Sequence, residues 1–130
     1  MTLAPSEKVL SFETLPDGLS SAEAWGTWSF GNNVTLKFLA PLPEKFTVHL
    51  IASAFGPNIG EDFVAHVGYS TVKFKLTAFP EERNLEFTNP QKSQIIKIDI
   101  PSPTSPKELG LSDDARNLGI GLTKLEIIPI

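Results

Sequence analysis

The sequence holds no cysteine, one methionine, one tyrosine and two histidines, and each scarcity removes a class of chemistry. Without cysteine there is no disulfide framework, no thiolate metal site and no cysteine nucleophile. The compartment stays open on that ground, because a cysteine-free chain suits oxidising and reducing spaces alike. No stretch approaches the ~20 consecutive apolar residues of a membrane-spanning helix. The opening MTLAPSEKVLSFETLP lacks the basic-then-apolar pattern of a secretory leader. The chain is therefore read as having no signal or transmembrane segment and as not inserting directly into a membrane. Basic charge is also in deficit, with eleven Lys and Arg against fifteen Asp and Glu for a formal charge of −4. Such a chain presents no overall field for a polyphosphate backbone, so nucleic acid is not an expected partner.

What the sequence does hold points to strands. Its 130 residues are 41% hydrophobic, enough for one core without metal or disulfide staples, and residues 1–130 read as a single domain. Eleven Pro and nine Gly punctuate segments rich in Val, Ile, Phe and Thr, the composition of short strands and tight turns. In VTLKFLA, Val34, Leu36, Phe38 and Ala40 alternate with Thr35, Lys37 and Leu39, the period of two of a half-buried strand. In KFTVHLIASAF, Phe46, Val48, Leu50 and Ala52 share a face, and the two segments read as adjacent antiparallel strands around APLPEK. DFVAHVGY and TVKFKLTAF read as a hairpin turning at Gly68. NLEFTN, SQIIKIDIP and IGLTKLEIIPI continue the series, with KVLSFETL and AEAWGTWSF as weaker candidates. The expected fold is an all-β antiparallel sandwich, jelly-roll-like, of about eight or nine strands. At most one short helical turn is expected, near 112–118, capped by Ser112 and closed by Gly119.

The catalytic inventory is thin. His49 and His66 fall opposite the apolar set of their strands, without metal-ligand spacing, and read as sheet-face residues. The pairs Glu61-Asp62, Glu81-Glu82 and Asp113-Asp114 sit in predicted turns, where solvated acids need no glycosidase-like role. FGPNIGED lacks the Gly-Lys-Ser/Thr ending of a phosphate loop and precedes a strand rather than a helix. No metal or cofactor is expected, and a small stand-alone enzyme is the remote alternative to a non-catalytic role.

Two stretches carry more. EAWGTWSFGNN sets Trp25 and Trp28 across a glycine, beside Glu23 and Ser29. Exposed aromatics offer flat apolar platforms for the C–H faces of sugar rings, with neighbouring polar groups for the hydroxyls. The structural alternative puts one Trp in the core and the other over its edge. SPKELGLSDDARNLGIGL contains Asp114 and Arg116, where the planar guanidinium can clamp a carboxylate such as Asp114 or Glu23, or else meet an anionic headgroup or sugar phosphate. The ligand-contact set on this reading is Trp25, Trp28, Glu23, Asn58 and Arg116, with Asp114 and Arg116 as a structural clamp.

Trp28-Ser29 with Gly31, the AFGPN of 54–58, Ser105-Pro106, and the run from Leu109-Gly110 through Asp114, Arg116, Leu118 and Gly119 together resemble a known pattern. It is that of the C-terminal domain of bacterial membrane-bound phosphoglycerol transferases and related tails of envelope glycosyltransferases. In that family a separate sulfatase-like domain carries the metal and the Thr nucleophile and moves phosphoglycerol from lipid to periplasmic glucans. No counterpart of that domain is found in this sequence. The resemblance implies a non-catalytic accessory β-sandwich in the periplasm, part of an inner-membrane protein. Its expected partners are a glucan or sugar-phosphate ligand, or a catalytic domain of the same or another chain.

Overall fold

The computed structural model describes residues 18–20 and 26–130. One four-stranded sheet runs in the order β1 (Thr27–Trp28), β8 (Ile120–Pro129), β3 (Lys45–Ala54), β6 (Glu81–Thr88). The other runs β2 (Asn33–Lys37), β7 (Ile95–Asp99), β4 (Phe63–Val67), β5 (Ser70–Phe74). Every pairing is antiparallel. The chain changes sheet at each connection except β4 to β5, which is jelly-roll-like connectivity. The antiparallel all-β sandwich expected from the sequence is the fold found.

Alternation explains why the sheets close on one core. Val34, Leu36, Phe46, Val48, Leu50, Phe63, Ala65, Leu85, Phe87, Ile96 and Ile98 are all buried on inward faces, and removal of that apolar area from water is the main stabilising term. Two cross-strand aromatic pairs anchor it: Phe46 lies opposite Phe87 with ring centroids 5.6 Å apart, and Phe63 opposite Phe74 at 5.5 Å. The expected hairpin is present. Val67 pairs with Ser70, and Gly68 at φ 56° takes the first central position, where a two-residue loop of type II′ requires positive φ.

Three expectations are corrected. VTLKFLA and KFTVHLIASAF are not neighbours, because Val34 pairs with Ile98 and Phe46 with Phe87 and Pro129. The period of two reports which face is buried and carries no information on the strand alongside. The link between them arches from sheet to sheet, with Leu42 buried and its N–H donated to Ser93 O at 2.9 Å. Glu81 and Glu82 lie within β6 rather than in a turn.

The third correction concerns the helical turn near 112–118, which does not form. Ser112 Oγ accepts the Asp114 N–H at 3.2 Å and Asp114 Oδ1 accepts the Arg116 N–H at 3.0 Å, so the polar side chains satisfy the backbone two residues on and compete with helix. The helical piece among the described residues is a 3-10 turn at Gly56–Asn58. KVLSFETL, Glu23 and Trp25 lie outside the described residues.

Candidate functional site

Strand register fixes where the loops go. Trp28, Ala54 and the start of β8 sit together in the first sheet, and Asn33, Asp99 and Val64 share a row of the second. The connections 29–32, 55–62, 75–80 and 100–119 therefore gather at one end of the sandwich. All the residues that carry the family resemblance lie in this end or in the strand termini that feed it.

The loops are stitched to one another by backbone and buried side chains. Ser29 N–H donates to Ile120 O at 2.8 Å while Ser29 Oγ accepts the Ile120 N–H at 2.9 Å. Gly31 N–H donates to Asn117 O, Phe55 N–H to Gly119 O, and Thr104 and Leu118 exchange both bonds. Gly119 is a close-approach glycine and not the end of a helical turn: a Cβ there would stand 2.1 Å from Ile100 Cγ2.

Asn58 departs from its sequence reading. It is wholly buried. Its Nδ2 donates to Phe55 O at 2.7 Å and Ser102 O at 2.8 Å, with Leu118 O at 3.4 Å, and its Oδ1 accepts the Ser102 N–H at 2.8 Å. An amide engaged on both its oxygen and its nitrogen with no exposed surface is an internal staple, not a ligand contact.

Trp28 and Arg116 do come to the same place. Trp28 is half-buried and meets Phe55 edge-on, with centroids 5.8 Å apart and planes at 80°. Arg116 grips Asp114 through Nε at 3.0 Å and Nη2 at 2.7 Å, a forked charge-assisted pair, and its Nη1 donates to Ser20 Oγ at 3.1 Å. Ser20 joins the two, because its own N–H donates to Trp28 O at 2.9 Å. The fork holds the Asp114 carboxyl at about 2, below its ordinary value, first through the Arg116 side-chain bond and then through the Arg116 backbone N–H. The pair forms at the surface, with Arg116 43% and Asp114 27% exposed. Phe30 stands 46% exposed in the same loop group.

The histidines sit on the outer sheet faces. His49 Nδ1 is 3.4 Å from Glu126 and its Nε2 3.7 Å from Glu82, while His66 Nε2 is 2.6 Å from Asp99. Lys124, at 2.7 Å, lowers the Glu126 pKa ahead of His49. Among the described residues no group of three His, Asp or Glu is arranged to hold a metal ion. Phe55, Ser20 and the His66–Asp99 pair were not singled out by sequence. Phe55 is flanked by Gly56-Pro57 and reads as turn, and strand pairing across 33 residues leaves no local signal for His66 and Asp99.

An antiparallel sandwich with an elaborated loop end defines a modular β-domain. The family model described as a domain of unknown function, DUF7024, matches residues 7–129, and the chain belongs to that family. It is similar to phosphoglycerol transferase I of Salmonella typhimurium and of Salmonella typhi, in each case 32% identical over 117 residues. Those alignments cover 87% of this chain and 15% of the relative, so the chain spans a small part of the relatives it matches. The resemblance to phosphoglycerol transferases read from the sequence is borne out. Among the described residues no helix is long and apolar enough to cross a membrane.

Proposed function

We propose that residues 1–130 form a single non-catalytic accessory domain of a phosphoglycerol-transferase-like envelope protein, facing the periplasm, and that its loop end binds glycan, a glucan or a sugar phosphate. Trp28, Phe30 and Phe55 supply the apolar platform and Arg116 the charged contact. Trp25 and Glu23, close to Trp28 in sequence, are proposed to extend it. Asn58 supports the site from within, and Asp114 fixes the guanidinium.

The observation that carries this reading is the shared anchor at Ser20, which ties the Trp28 strand to the Arg116 fork at the end where the loops gather. An aromatic platform beside an oriented polar fork suits a sugar ring, whose apolar faces and hydroxyl edges need both. Tryptophan fluorescence during titration with β-glucan oligosaccharides tests it. A saturable change in the native chain, much reduced in Trp28→Ala, is the expected result; no change at millimolar oligosaccharide contradicts it.

A second reading is favoured by the apolar side chains of the same end. Ile59, Phe79, Leu109 and Leu111 are 47%, 74%, 43% and 69% exposed. Large apolar groups left in water around one rim suit contact with a protein surface, here the catalytic part of the longer protein. On this reading Leu111→Asp together with Phe79→Asp weakens that contact and leaves the melting temperature of the isolated domain unchanged.

A further inference from the structure

The second sheet turns a face of the opposite electrical character to the rest of the molecule. Its outward positions form cross-strand rows: Thr35, Lys97, His66 and Thr71 in one, Asn33, Asp99, Val64 and Lys73 in the next. Lys37 lies opposite Ile95, and Lys75 closes the other border with Asp62 at 3.0 Å. The four lysines are exposed, and among the described residues the acids between them are Asp62 and Asp99, the latter 3.7 Å from Lys97. This basic face belongs to a chain of formal charge −4. On the outer face of the first sheet Glu82, Glu86 and Glu126 outnumber Lys45 and Lys124.

The rows hold no Trp, Tyr or Phe ring on which a sugar could stack, so this face is unlike the loop end. Its lower border is apolar. Tyr69, at the tip of the β4–β5 hairpin, is 89% exposed, Ile95 is 40% exposed beside Lys37, and Leu39 is 59% exposed just beyond it. Lysines spread over a flat sheet, bordered by an exposed tyrosine and aliphatic side chains, match a bilayer surface. The ammonium groups meet headgroup phosphates, and the tyrosine ring suits the headgroup level, where one end is apolar and the other wet.

We propose that the outer face of the second sheet is a peripheral docking surface for an anionic phospholipid bilayer, with Lys37, Lys73 and Lys97 facing the headgroup phosphates and Tyr69 seated at the interface. The domain adsorbs and does not insert. Docking this face leaves the loop end at the side of the sandwich, open to a ligand, so the inference stands independently of the glycan reading.

Vesicle flotation tests it, using vesicles of about one-third phosphatidylglycerol in phosphatidylcholine, and pure phosphatidylcholine vesicles alongside. The native chain is expected to float with the anionic vesicles at low salt, to ignore the neutral ones, and to be released as salt shortens the screening length. Lys73→Glu with Lys97→Glu is expected to weaken binding by about thirtyfold or more, and Tyr69→Ala to weaken it less. Lys73 is exposed and Lys97 is half-exposed beside Asp99, and circular dichroism verifies that the variant folds. Glu82→Gln on the opposite face is expected to leave binding unchanged. Equal flotation with both vesicle types, no flotation with anionic vesicles at low salt, or full binding by the charge-reversed variant overturns the proposal. Displacement by millimolar glycerol phosphate overturns it as well, since that marks a site for a soluble anion and not a surface.

Discussion

Asn58 and Ser102, 44 residues apart in sequence, exchange two hydrogen bonds of 2.8 Å, the amide Nδ2 donating to Ser102 O and Oδ1 accepting the Ser102 N–H. This reciprocal pair mimics one step of a β-ladder where no ladder runs. It fastens the 3-10 turn to the long loop that carries Arg116.

Removing that amide leaves buried backbone groups without partners, each costing ~1–3 kcal/mol. Asn58→Ala is expected to destabilise the domain by roughly 3 kcal/mol and lower Tm by about 10 °C. Arg116→Ala is expected to lower Tm far less, because a half-exposed pair is screened by solvent. Thermal melts of the two variants check the ranking. A larger loss at Arg116 contradicts the assignment of Asn58 as the main staple.

The Asp114–Arg116 fork predicts a pH dependence of definite sign. A carboxylate whose folded pKa is held at about 2, below its ordinary 3.8, stabilises the fold above the ordinary value and loses that contribution as pH falls through the folded one. The Tm advantage of the native chain over Asp114→Asn is thus expected to be constant near neutrality and to shrink between about pH 4 and about pH 2. Melts across that window decide it. A gap that persists undiminished to the lowest pH at which both fold contradicts the pairing.

Gly119→Ala tests the close approach of the residue just before β8 to Ile100. A Cβ placed 2.1 Å from Ile100 Cγ2 forces one of them to move, and overpacking of this kind costs roughly 1–3 kcal/mol. Chemical denaturation is expected to show a lowered midpoint with an unchanged slope. A midpoint equal to that of the native chain shows that the loop gives way freely, contrary to the stitched geometry of this end.

The buried faces were legible in the sequence because burial imposes a period of two. Ile96, Ile98 and Ile100 inside, with Lys97 outside, came directly from that alternation. Beyond the β4–β5 hairpin, strand partners were not legible: β2 and β3 follow each other in the chain, yet the Pro41 and Pro43 link carries the chain to the other sheet. Asn58 was misplaced for a different reason. A polar side chain in a Gly-Pro turn reads as surface, and only the fold brings Ser102 and Leu118 to it. Arg116 and Asp114, two residues apart, were legible as a pair because their contact is local.

Recognition of glycan by the loop end is read directly by a ¹⁵N-HSQC titration of the domain with β-glucan oligosaccharides and, separately, glycerol phosphate. Saturable shifts confined to Ser20, Trp28, Phe30, Phe55 and the 105–119 loop are the predicted result. Silence at millimolar concentration of both, or shifts spread over the sheet faces with none at that end, contradicts glycan recognition and transfers the loop rim to protein docking.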